Sequence, residues 1–149
     1  MKNLLLAIFA FVTLTISVFA GDSAAEKAFV EKFKTAFESN DKATLESFLY
    51  KQGADPMALE FYKMMITDGA GSKISKIELV DLSPEEIKKA EGTQEGPGGQ
   101  KMKMPVKPTK KLQITVDTKS DSGSSSSTSS PMVAEKDGKF VVPVPGPAK

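Results

Sequence analysis

Four residue types are missing from this 149-residue sequence: cysteine, histidine, tryptophan and, because the 20 lysines account for the whole lysine and arginine total, arginine. Without cysteine there is no disulfide, so stability has to come from packing. Without histidine and cysteine there is no ordinary zinc, copper or haem site and no Ser-His-Asp or Cys-His nucleophile. We therefore assign no catalytic, cofactor-binding or metal-ligating residue. An enzyme built on this chain would need Asp, Glu, Lys or Tyr with a strongly shifted pKa.

The first 20 residues have the layout of a secretory signal peptide. Lys2 supplies a positive start, residues 4–19 carry no charge, and Ala20 precedes Gly21 where a signal peptidase would cut. The uncharged run of about 16 residues is shorter than the ~20 that a membrane-spanning helix needs. The sequence thus predicts cleavage between Ala20 and Gly21, export to the periplasm or the medium, and no stable membrane anchor afterwards.

The remaining chain, residues 21–149, is long enough for a single domain. Removing 20 residues from 149 leaves 129, and Lys2 is lost with the leader, so 19 lysines balance 19 acidic residues. A chain without net charge has no general electrostatic attraction to nucleic acid, and we expect no nucleic-acid partner.

An amphipathic helix is predicted at residues 22–39. Phe29, Phe33 and Phe37 recur at helical spacing, with charged residues between them. Such a stripe is usually core, although it can also line a ligand cavity.

Two further helices are predicted after this one. A short helix at 42–50 places Phe48 on its apolar side, and Asp55 followed by proline begins another that runs to about residue 67 and buries Tyr62. Phe29, Phe33, Phe37, Phe48 and Tyr62 are therefore the candidate lining of a core or a cavity.

Period-two alternation predicts strands in the second half of the chain, at residues 73–82, 101–106, 112–117 and in the arms of a hairpin between 132 and 144. Asp137-Gly138 is the expected hairpin turn. Ser83, followed by Pro84 and then by Glu86, predicts a capping box and a short helix that ends near residue 91.

Three stretches are predicted to be irregular from their composition. Residues 92–100 are rich in glycine and are expected to form a loop. Residues 120–130 are almost all serine and are expected to form a loop with some pairing at its ends. Residues 143–149 carry three prolines and are expected to form a tail.

Helices first and strands afterwards predict an α+β fold, in which N-terminal helices pack on a curved antiparallel sheet. Residues 29–50 and the Asp137-Gly138 hairpin resemble the nuclear transport factor 2-like (cystatin-like cone) superfamily, in particular its exported bacterial members. The residues that carry the likeness in the first of these regions are Phe33, Ala36, Phe37, the Ser39-Asn40-Asp41 break, Leu45, Phe48 and Leu49. The resemblance implies a sheet wrapped around the first helix, and in some members a cone-shaped cavity. Enzymes of the superfamily place Asp, His, Tyr or Arg there, and two of these types are absent here.

Three weaker patterns have simpler explanations than a site. The five lysines between residues 101 and 111 suggest either a contact for an anionic surface or solvated lysines that discourage strand aggregation. Asp117 and Asp121 do not match a calcium loop. Glu85 and Glu86 are explained by the helix start.

Two classes of function remain open from the sequence. The first is a non-enzymatic exported domain that binds a small molecule or an envelope partner, or has a structural envelope role, with a homodimer as one assembly to test. The second is a cone-fold enzyme of isomerase or hydrolase type that uses Asp, Glu or Tyr as acid or base. A cavity with a buried, unpaired carboxylate would favour the enzyme, and an open apolar cavity would favour binding.

Overall fold

The computed structural model describes residues 19–96, 98–121 and 123–148. Most of the predicted signal peptide lies outside these residues. The predicted cleavage junction, between Ala20 and Gly21, falls in the first turn of the first helix. The leader and its cleavage therefore stay predictions.

The chain forms four helices and nine strands within the described residues. In chain order they are α1 (Phe19–Glu38), α2 (Lys42–Ser47), β1 (Leu49–Tyr50), α3 (Pro56–Thr67), β2 (Ile74–Asp81), α4 (Pro84–Glu91), β3 (Gln94–Glu95), β4 (Lys101–Lys103), β5 (Lys110–Ser120), β6 (Gly123–Ser129), β7 (Met132–Lys136), β8 (Lys139–Pro143) and β9 (Gly146–Pro147). This composition confirms the predicted α+β class.

The strands are arranged in two sheets. The larger has the order β1-β8-β7-β5-β2, with β6 also paired to β5, and the smaller has the order β3-β4-β9. All pairs are antiparallel except β1 with β8, which is parallel. The sheet is therefore mixed, not wholly antiparallel as predicted.

That parallel pair also corrects the predicted helix at residues 42–50. Helix α2 ends at Ser47, and the next residues turn into strand β1. The Val142 amide donates to the Phe48 carbonyl at 2.8 Å, and the Val144 amide donates to the Tyr50 carbonyl at 3.2 Å. Pairing with a distant strand thus overrides the local helical pattern.

Helix starts follow the capping residues that the sequence offers. Asp55 accepts from two backbone amides at the start of α3, where proline occupies the first turn. Ser83 accepts from the Glu86 amide at 3.3 Å, while the Ser83 amide donates to the Glu86 carboxylate at 2.8 Å. This reciprocal pair confirms the predicted capping box of α4.

The phenylalanine stripe of α1 lies in the core. Phe33 is 1% exposed, against 6% for Phe29 and 4% for Phe37. The Phe33 ring lies 5.5 Å from the ring of Phe48 and about 6 Å from the rings of its two helical neighbours. The sheet supplies the opposing surface with buried Ile114, Val116 and Val142 and half-buried Ile77, Leu79 and Phe140. The Phe29–Phe33–Phe37 stripe is thus part of a filled core.

The serine-rich stretch is a strand, and the loop predicted at 120–130 is wrong over most of its length. Strand β6 pairs with β5 from Ile114 opposite Ser129 to Ser120 opposite Gly123. All seven residues of β6 are exposed, so the pairing rests on the backbone ladder that β5 offers and not on buried side chains. A prediction from composition considers only the side chains, so it does not detect the backbone groups of β5 with which this stretch pairs.

The other two irregular stretches also contain paired residues. Within 92–100, strand β3 pairs with β4, and within 143–149, strand β9 pairs with the other edge of β4. Val144 is fully buried, which explains why the segment packs instead of forming a tail. The hairpin prediction is confirmed: Asp137 and Gly138 have φ of 53° and 73° and join β7 to β8, the positive angles that a tight two-residue hairpin requires.

Candidate apolar groove between helix α3 and the small sheet

An apolar groove lies between helix α3 and the three-stranded sheet β3-β4-β9. Its volume is about 280 Å³, and it is open to solvent. Its apolar walls are Ala58, Phe61, Tyr62, Met102, Met104 and Pro145, and its polar edge is Gln94, Glu95, Gly96 and Lys103. Most of the surface that a bound group would meet is therefore hydrocarbon, thioether or aromatic.

Beside this groove, helix α3 exposes a row of large apolar side chains. Met57, Phe61 and Met64 are 59%, 54% and 64% exposed, and they are the exposed large hydrophobic residues of the part of the chain that is described. Their spacing of four and three residues places them on one face of the helix. Phe61 belongs to both the row and the groove wall, so the two form one continuous apolar surface, called here the α3 groove.

Asp55 fixes the small sheet to the start of α3. Its carboxylate accepts from the amides of Met57 at 2.9 Å and Ala58 at 3.0 Å, and from the Gln100 side chain at 3.0 Å. Its own amide donates to the Pro145 carbonyl at 3.0 Å. The amide of Ala58 is the main cause of a lowered pKa of Asp55, opposed in part by burial. Asp55 therefore holds both walls of the groove in place.

Two glycines permit the close approach of these walls. A β-carbon on Gly96 would overlap the Met102 side chain, and one on Gly146 would overlap the Gly53 carbonyl oxygen. The first glycine leaves room for the Met102 thioether that lines the groove, and the second lets β9 lie directly against the loop before α3.

The groove offers little acid–base chemistry. Burial raises the pKa of Tyr62, so its hydroxyl stays protonated at neutral pH. Among the described residues, Asp55 is the buried charged side chain, and its carboxylate accepts three hydrogen bonds. Over the same residues, no buried side-chain nitrogen or oxygen lacks a hydrogen-bond partner, and no three Asp or Glu residues are grouped as metal ligands.

Of the five residues expected to line a core or cavity, only Tyr62 reaches the groove. Phe29, Phe33, Phe37 and Phe48 pack against each other in the core. Sequence reasoning missed the surface formed by Met57, Phe61, Met64, Met102 and Met104. One signal was present: α3 carries large apolar residues around most of its circumference, more than one buried face can use.

The lysines between residues 101 and 111 are largely paired. Lys107 contacts Glu91 at 2.7 Å, Lys111 contacts Glu86 at 2.6 Å, and Lys110 lies between Asp81 at 2.6 Å and Glu26 at 2.9 Å. These pairs account for three of the five lysines. Across the described residues, no helix combines the length and the apolar character needed to cross a bilayer.

Comparison with known proteins gives little further constraint. No family model and no curated protein matches this sequence. Among solved structures, the chain is similar to the helical cell shape determining protein Pgp2 from Campylobacter jejuni, with 14% identity and a TM-score of 0.44. The match covers 79% of this chain and 38% of that one, so this chain spans well under half of that protein's length. At this identity and TM-score, the likeness establishes neither a family nor an activity.

Proposed function

We propose that this chain is a non-enzymatic binding domain, and that the α3 groove holds an apolar segment of a protein partner. The observation that carries this proposal is the continuity of the exposed Met57–Phe61–Met64 row with the groove beside it. Contiguous apolar surface on a folded domain commonly marks an interaction site.

The size of the groove favours a polypeptide over a small molecule. Pockets that enclose a whole ligand usually measure about 300–1,000 Å³, and this one lies at the lower limit and is open. It can enclose one or two anchoring side chains, while the row on α3 covers their neighbours. Methionine side chains adapt to different apolar shapes, which suits such a surface.

The charges around the groove favour a protein over an anionic lipid surface. Glu95 and Lys103 line the groove together, one anion and one cation, and on α3 itself Lys63 contacts Glu60 at 2.7 Å. A membrane-binding face would present an excess of cations. The mixed rim is instead typical of the polar border of a protein interface.

The enzyme alternative has less support. An acid–base mechanism needs a titratable group held in a cavity. The carboxylate of Asp55 instead accepts hydrogen bonds from two backbone amides at the start of α3. Tyr62 has a raised pKa, which makes it a poor base at neutral pH.

We also propose that the domain works outside the cytoplasm, in the periplasm or the medium. The layout of residues 1–20 supports this. Membership of the nuclear transport factor 2-like superfamily is likewise a proposal. It is supported by the two N-terminal helices that precede the sheet and by the Asp137-Gly138 hairpin.

Selection from a displayed library of random peptides tests the binding proposal. Peptides are selected on the wild-type chain alone, and each is then measured against wild type and against Phe61→Asp, which places a charge at the junction of the row and the groove. We expect peptides with apolar residues at helical spacing, whose affinity falls about tenfold or more in the variant, as is usual for the loss of a central aromatic anchor.

Ser126→Asp is the matched control, because it adds the same charge to an exposed residue of strand β6. It should bind the selected peptides like wild type. Equal binding by all three chains would contradict the proposal. So would retention of the chain on anionic vesicles through Phe61, or a copurified acyl chain in the groove.

A further inference from the structure

Strand β2 leaves one long edge of the larger sheet open. It is eight residues long and, in the described part of the chain, pairs only with β5. The other long outer edge, that of β6, consists of Ser, Thr and Gly, which supply no apolar contact. Open edges are templates for pairing with another strand, and folded proteins usually protect them.

The charges on this edge have opposite signs on either side of one apolar residue. Lys76 and Glu78 flank Ile77 and lie on the same face, because they are two residues apart in a strand. They contact each other at 3.0 Å, and their side chains are 64% and 48% exposed. The sequence around Ile77 is therefore cation–apolar–anion.

This order fits a second copy of the same chain in a single register. A two-fold axis perpendicular to the sheet and through Ile77 pairs β2 with itself in antiparallel orientation. It places Lys76 of each copy directly opposite Glu78 of the other, at the distance where cross-strand charges interact. An axis through Glu78 would oppose two anions, and an axis through Lys76 would oppose two cations. Charge therefore selects the register centred on Ile77.

The surface beside the edge has apolar contacts to offer. A depression of about 470 Å³ runs between α1 and β2, and its walls include Val30, Ile77, Leu79 and Val80. All four side chains are only half-buried. A second copy paired along β2 would cover part of this surface, which gives the pairing a hydrophobic contribution besides its backbone hydrogen bonds.

We propose that the chain forms a symmetric homodimer through β2, with Ile77 on the two-fold axis and two Lys76–Glu78 pairs across it. The interface closes after two copies, as an isologous contact must. It is also short, because the register of β2 against β5 shifts between Ile74 and Lys76. A short interface makes a weak, concentration-dependent dimer.

Sedimentation equilibrium of the full chain, from micromolar to millimolar concentration, tests this with charge reversals. Lys76→Glu leaves two anions at the edge, and Glu78→Lys leaves two cations. A dimer of either variant with itself therefore places like charges opposite each other. We expect each variant to weaken self-association about tenfold or more, because the two-fold axis places the same unfavourable pair at two positions of the interface. An equimolar mixture of the two variants should associate like wild type, and so should the double variant Lys76→Glu/Glu78→Lys.

Lys139→Glu is the matched control, because it reverses an exposed lysine on the β7–β8 hairpin. It should dimerise like wild type. Because all samples share every other residue, association through any other surface contributes equally to each of them. A monomeric wild type at millimolar concentration would overturn the proposal. Variants that dimerise unchanged, a mixture that stays monomeric, or growth beyond dimers would each do so too.

Discussion

The ring of Phe33 is the most enclosed of the phenylalanine stripe, so its removal probes the packing of α1 on the sheet. The substitution Phe33→Ala deletes a ring that is 1% exposed and has the rings of Phe29, Phe37 and Phe48 within 6.4 Å. Deleting a buried phenyl ring costs about 3–5 kcal/mol, because burial is lost and a cavity remains. A domain of this size has only ~5–15 kcal/mol of stability.

Urea denaturation followed by circular dichroism measures this cost. With a slope of about 1–3 kcal/mol per molar urea, the midpoint should fall by about 2 M. The matched control is Phe61→Ala, which removes the same ring from a position that is 54% exposed. It should cost about 1 kcal/mol or less, in line with its partial burial.

Two results would contradict the buried position of Phe33 as a main source of stability. If Phe33→Ala cost no more than Phe61→Ala, the packing of α1 against the sheet would not be a main source of stability. Equal and mild effects at all three stripe positions would mean that α1 is peripheral, and the proposed membership of the nuclear transport factor 2-like superfamily would have to be withdrawn.

The Glu86 carboxylate, the Gly146 backbone and the predicted leader can each be tested separately. The Lys111 side chain and then the Ser83 amide lower the pKa of Glu86 from 4.5 to about 2, so the stability that this carboxylate contributes is present above pH 4.5 and is lost as the pH falls towards 2. Denaturation midpoints across that range should fall less for Glu86→Gln than for wild type, and equal falls would contradict this. Gly146→Ala should lower the melting temperature by several degrees, because its β-carbon overlaps the Gly53 carbonyl oxygen, whereas Pro147→Ala at the exposed neighbour should not. Intact-mass measurement of exported protein should give a chain that begins at Gly21, and recovery of only the full-length form in membranes would exclude cleavage.

The elements that were predictable are those with strong local signals. The Asp55 and Ser83 caps, the Asp137-Gly138 turn and the stripe around Phe33 each depend on neighbouring residues, and all are present in the structure. Such signals do not require knowledge of the rest of the fold.

The elements that were missed depend on distant partners. Strand β1 exists because β8 offers backbone groups to Phe48 and Tyr50, and strand β6 exists because β5 does. The α3 groove was missed for the same reason. Phe61 and Met102 become neighbours only when β4 packs beside α3, and their separation in sequence gives no indication of this.

Methyl NMR of the methionines shows directly whether a peptide binds at the α3 groove. Met57, Met64, Met102 and Met104 lie at the α3 groove, while Met132 lies on β7 outside it. With methionine methyl groups labelled, a selected peptide should shift the first four signals and leave Met132 unchanged. A peptide that binds without shifting the four groove methyls, or that shifts Met132 instead, would contradict the assignment of binding to this surface.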